Sequence, residues 1–174
     1  MRFVCGVASL SSMVPFVKWF YLLALSVWIG SIVFFSAVVA PTVFKTLPSD
    51  DAAKLQRAIF PRYYLLGLVC AAVGIVCVGW LLADRAWFGK WPGILSLLLL
   101  ASTGGTDGWL LMAVVPRLNE LRERKTPVIG SGKLPEPHWE KEWKELHQTS
   151  VQLNFAVLAG VLALLFLVVF ARVA

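Results

Sequence analysis

Four long apolar runs divide the chain: Trp19–Ala40, Tyr63–Ala83, Gly93–Val115 and Val151–Phe170. Each is bounded by charge, by proline or by both. About 20 apolar residues are needed to cross roughly 30 Å of hydrocarbon as a helix. The pattern therefore predicts an all-α membrane protein, a four-transmembrane-helix bundle forming a single integral membrane domain over residues 1–174. Met1–Ser12 has one Arg, a short apolar stretch broken by Gly6 and no clear leader core, so a short flexible terminus is expected there.

The polar stretches have patterns of their own. Ser49-Asp50-Asp51 offers a cap followed by acids in a first turn, which predicts a short helix ending near Ile59, ahead of Pro61. Thr126–Pro137 is rich in Gly and Pro and reads as a flexible linker. Trp139, Trp143 and Leu146 then recur at i, i+4 and i+7, predicting an interfacial helix that leads into span four.

Composition narrows the class. Hydrophobic residues are 59% and charged residues 15% of the chain, against about 25% charged in a soluble domain. A soluble enzyme, a disordered tail and a disulfide scaffold are excluded. Of the 16 Lys and Arg, eleven fall in loops one and three and five on the opposite side. The charge bias places those two loops in the cytoplasm and both termini outside, in a multi-pass protein of the cell membrane. Trp80, Trp87 and Trp91 then belong to an outer aromatic belt, Trp139 and Trp143 to an inner one. The net charge of +6 does not imply a nucleic-acid partner, because the cations sit in short loops between apolar runs.

Chemistry is sparse. Asp107 lies eight residues from the inner end of span three, about 12 Å deep at 1.5 Å per residue. An acid at that depth must face the bundle interior or a water-filled cavity and needs a partner. Thr103 lies one turn earlier on the same face, and either it or Asn154 is expected to share a hydrogen bond with the acid. His147, Ser150 and Asn154 form a polar stripe at the start of span four. Arg62 and Arg117 stand beside Pro61 and Pro116, where they can reach carbonyls freed by proline or the His147 ring. These residues predict one polar vestibule on the cytoplasmic side, with Asp107 beneath it. Cys70 and Cys77 share a face of span two and form a candidate soft-metal pair, although small-residue helix packing is the better explanation of them. The two histidines both precede span four, so a bis-histidine haem within one chain is not expected, nor is any other cofactor. No nucleophile stands at catalytic spacing from the acid and the histidine. Ser26 and Gly30, and Gly104 and Gly108, are spaced for close helix packing and would serve a homodimer.

Several segments together resemble a known family. They are Trp28-Ile29-Gly30-Ser31, Ala40-Pro41-Thr42-Val43-Phe44, Phe60-Pro61-Arg62-Tyr63-Tyr64, Pro116-Arg117 with Leu121-Arg122-Glu123-Arg124, and Leu146-His147 with Ser150 and Asn154. In this order they are similar to the transmembrane-protein-205-like family, a four-span membrane domain of unknown function. Gln148 departs from the Gly expected after the histidine, and loop three is longer than expected. The resemblance implies a membrane protein that handles soft metals or small solutes. A weaker similarity, in the Trp-Ile-Gly and Ala-Pro segments, is to copper-resistance membrane proteins. Two functions follow as expectations: a permease-like handling of a cation or small solute, working as a homodimer, or an accessory subunit or assembly factor of a larger membrane complex.

Overall fold

The computed structural model describes the backbone of residues 4–83, 89–130 and 137–170, and the side chains of 13–83, 89–123 and 140–170. Every described element is helical. The order is α1 (Val4–Phe34), a π-helical segment (Phe35–Val39), α2 (Ala40–Thr46), α3 (Ser49–Ala83), α4 (Lys90–Trp109), a second π-helical segment (Leu110–Val114), α5 (Val115–Gly130) and α6 (Pro137–Phe170). Among the described residues, four stretches are long and apolar enough to cross a membrane: Met13–Thr46, Ser49–Ala83, Lys90–Glu123 and Glu140–Phe170. The protein is a multi-pass four-helix membrane bundle.

The helices are longer than the apolar runs that predict them. The short helix expected to stop before Pro61 instead continues without interruption into span two, giving 35 residues. Pro61 removes one backbone donor and crowds the preceding turn. The carbonyl it leaves without its helical donor is that of Arg57, and the Arg62 guanidinium donates to the next one, the Ala58 carbonyl, at 2.6 Å. The interfacial helix expected before span four likewise runs straight on into it as α6. The stretch expected as a linker from Thr126 is helical as far as Gly130, and 131–136 lie outside the described residues. The expected flexible terminus is part of α1 from Val4 onward. At 1.5 Å per residue, helices of 31 to 35 residues reach about 50 Å. They therefore project well beyond roughly 30 Å of hydrocarbon.

Each π-helical segment ends just before a proline, Pro41 in α2 and Pro116 in α5. A proline ring clashes with the carbonyl four residues back. A wider turn moves that carbonyl aside, so the helix passes the proline without breaking.

Around the bundle α1 packs on α3, α3 on α4, α4 on α6 and α6 on α1, while among the described residues the diagonal pairs α1/α4 and α3/α6 are not in backbone contact. Lipid is as apolar as leucine, so packing and hydrogen bonds rather than water exclusion hold such helices together. Helix α3 shows how. Its buried stripe, Tyr64, Gly67, Cys70, Ala71, Gly74, Cys77, Val78 and Leu81, follows the helical period and is built largely of small residues. These let α4 approach closely: Gly104 comes against Ala71 and Gly108 against Leu68. That face, expected to serve a homodimer, is spent inside the bundle. Ser26 and Gly30 are exposed, and nothing lies within 4 Å of where a Cβ on Gly30 would stand. Large apolar side chains such as Phe16, Val76, Met112, Phe155 and Phe170 point outward on all sides, as in a helix bundle whose solvent is lipid.

Candidate functional site

The bundle centre holds one acid. Asp107 falls on the buried stripe of α4, with Ser96, Leu100, Thr103 and Gly104, and is 3% exposed. Trp28 on α1 is equally buried and donates its indole N–H to Asp107 Oδ2 at 3.2 Å. The bond spans a diagonal of the bundle, so a large side chain must cross the centre. Gly67 of α3 makes the space: a Cβ there would collide with Asp107 Oδ2 and stand 2.9 Å from the indole nitrogen. Three helices thus meet at Trp28, Gly67 and Asp107. Among the described residues no cation pairs with Asp107, so an ionised carboxylate here would need one from elsewhere.

The other diagonal is bridged closer to the end that carries α2 and α5. Asn154 of α6 accepts from Tyr63 Oη at 2.9 Å through Oδ1. Its amide donates to Tyr64 Oη at 3.0 Å and to the Ser150 carbonyl at 2.9 Å. Aromatic contacts brace the two tyrosines. Phe35 lies 4.9 Å from Tyr63, and Phe60 stacks on Tyr64 at 6.0 Å. Both tyrosines lie within electrostatic reach of Asp107.

Above this network lies a cavity of about 270 Å³. Its walls come from the end of α1, the first π-helical segment, α2, α3, α5 and α6. The polar groups are Ser36, Gln56, Arg122, His147, Ser150 and Asn154. Gln56 is 2% exposed, and its amide oxygen has no hydrogen-bond partner among the described residues. The His147 ring stacks on Trp143 at 5.2 Å, and the Arg122 guanidinium lies 5.3 Å from the centre of the same indole. Asn154 thus faces the cavity on one side and the tyrosines on the other. A row of polar groups descends from Gln56 and Arg122 through Asn154 and the tyrosines toward Asp107.

The predicted site residues are partly gathered here. His147, Ser150 and Asn154 line the cavity. Arg62 does not: it is exposed and bonded to its own helix. Arg117 reaches α6 but not His147, being held by Glu142 at 2.7 Å and Glu120 at 2.8 Å. Thr103 is not the partner of Asp107. Its hydroxyl donates to the Leu99 carbonyl at 2.7 Å, and Gly160 of α6 makes room for its methyl group. Asn154 is taken by the tyrosines rather than by the acid. Cys70 and Cys77 are free thiols on the buried α3 stripe. Among the described residues no group of three His, Cys, Asp or Glu could hold a metal ion. Trp80 is half-buried, Trp91 is exposed, and Trp87 lies outside the described residues. Sequence reasoning missed Trp28, Gly67, Gln56 and Arg122. For Gln56 a signal existed, since it stands one helical turn before Phe60 and two before Tyr63 and Tyr64.

The fold and site define a polytopic membrane bundle with a sealed acid and an open polar cavity. The chain belongs to the family described as Domain of unknown function (DUF4149), whose profile matches residues 23–127. That stretch includes Trp28, Gln56, Gly67, Asp107 and Arg122. A protein of Aquifex aeolicus described as uncharacterized is 27% identical over 148 residues, covering 85% of this chain and 93% of its own. No solved structure matches.

Proposed function

We propose that the protein handles a small solute through this cavity and couples it to a proton or other cation at Asp107. The observation behind the proposal is the polar row that links the cavity to a buried acid with no cation beside it among the described residues. A carboxyl so placed is expensive to keep unless it is used, and intramembrane acids mark proton relays and ion paths. The resemblance to the transmembrane-protein-205-like family points to the same kind of work. The Lys and Arg distribution supports a cell-membrane protein with the cavity on the cytoplasmic side and both termini outside. A cysteine placed at Gly130 should then stay unlabelled by impermeant reagents on intact cells, and strong labelling there would move the cavity outside.

Proton entry into vesicles holding a pH-sensitive dye, driven by a membrane potential, tests the coupling. Wild-type vesicles should acidify faster than protein-free ones, and Asp107→Asn should return the rate to the protein-free level. Equal rates in all three samples would remove Asp107 from the mechanism. A second reading is an accessory subunit of a larger complex. The exposed Ser26 and Gly30 pair favours it, because small residues let another helix approach closely. Purification in mild detergent separates the two: a stoichiometric foreign partner supports the subunit.

A further inference from the structure

We propose that the cavity takes an anionic membrane phospholipid with a hydroxylated headgroup, of the phosphatidylglycerol kind, entering sideways between α1 and α6. The inference rests on reading the cavity as the binding site, and is independent of the role given to Asp107.

The opening selects the source. Val33, Phe44, Val151 and Phe155 line the cavity and are 48%, 58%, 40% and 63% exposed. These side chains lie on the flanks of the spans, where lipid is the surrounding medium, so an acyl chain can pass between the two helices without leaving the bilayer. At about 270 Å³ the cavity is slightly smaller than the roughly 300–1,000 Å³ of ordinary small-ligand pockets. It accommodates a headgroup and the start of a chain, with the remainder staying in the membrane.

The polar end selects the headgroup. Arg122 stands in the wall, and Arg57, one position from Gln56, is near enough to act on it as a like charge. The one ion pair that Arg57 makes among the described residues is a long one, 3.7 Å to Glu123. Guanidinium groups match phosphate in geometry and charge, and basic pockets between spans bind acidic lipid headgroups. Phosphate alone does not complete the site. Among the described residues the Gln56 amide oxygen is a buried acceptor without a donor, and an orphaned buried acceptor carries a full desolvation cost. The ionised phosphodiester of a lipid has no proton to donate to it, whereas a headgroup hydroxyl does. A choline headgroup offers neither the net negative charge nor the hydroxyl.

Native mass spectrometry of the full chain in mild detergent, mixed with equal amounts of phosphatidylglycerol and phosphatidylcholine, tests this. Wild type should retain phosphatidylglycerol in about tenfold preference, the scale of one charge-assisted hydrogen bond. Arg122→Gln should bring the preference near unity. Leu158→Trp, which fills the cavity and leaves the charges in place, should remove bound lipid even if the arginine variant fails to fold. Asp107→Asn should retain the lipid, so that loss of proton coupling and loss of lipid binding are read separately. Equal retention of the two lipids by wild type would overturn the proposal. So would a preference that survives both Arg122→Gln and Leu158→Trp, or displacement of phosphatidylglycerol by equimolar oleate.

Discussion

The two polar regions of this bundle treat their buried groups in opposite ways. At the centre, Asp107 has a donor aimed at it, a glycine cleared to seat it, and helices on every side. At the α2 and α5 end, Gln56 is as deeply buried as Asp107 and lines the cavity, but its amide oxygen is unmatched among the described residues. The first arrangement holds three helices in one register. The second is incomplete, and a polar group left incomplete beside a cavity is better explained by a ligand than by packing. The Tyr63–Asn154–Tyr64 network stands between them: it is satisfied internally yet borders the cavity.

The contrast predicts how substitutions will rank. The largest effect belongs to Gly67. Gly67→Val pushes branched carbon into the space of the Asp107 carboxyl, and overpacking of this kind costs about 1–3 kcal/mol or more. The folded fraction recovered in mild detergent should fall sharply, and a wild-type yield and melting temperature would mean that α3 and α4 are farther apart than described. Trp28→Phe comes next. It keeps the ring but removes the N–H, costing about 0.5–2 kcal/mol by thermal unfolding. Adding Asp107→Leu to it should recover part of that loss, because removing both partners leaves no orphan. If the double variant is worse than the sum of the two single changes, the indole and the carboxyl are not partners. The smallest effect belongs to the open region. Gln56→Leu removes an acceptor that has no internal donor, so stability should stay level or rise by up to about 1 kcal/mol. A loss as large as that of Trp28→Phe would show that Gln56 is part of the packed core.

Much of this architecture was readable from periodicity. Four apolar runs fixed the spans, and the cost of burying an acid placed Asp107 inside. Its partner was not readable, because Trp28 is 79 positions away and a tryptophan in a span looks like any other large apolar residue. Nor could the stripe of small residues on α3 say which glycine seats a carboxyl. The helix ends were misjudged for a local reason: proline reads as a stop, yet the two π-helical segments let their helices pass Pro41 and Pro116, and α3 runs through Pro61 unbroken. The choice among arginines split in two. Arg62 lies off the α3 stripe marked by Tyr63, Tyr64 and Gly67, so helical period could have excluded it. Arg117 and Arg122 are separable only once Glu142 of α6 is seen to hold Arg117.

The sealed acid and the accessible cavity above it can be compared in one molecule. Ser150 lines the cavity, while Cys70 lies on the buried stripe of α3 beside Gly67 and Ala71. Ser150→Cys, reconstituted in lipid vesicles and treated with a small charged thiosulfonate, can be read cysteine by cysteine from peptide masses. Cys at position 150 should be modified, and Cys70 in the same chain should not. Modification of both at similar rates would show that water reaches the centre. No modification at 150 would show that the cavity is closed, and either result would contradict the division described here.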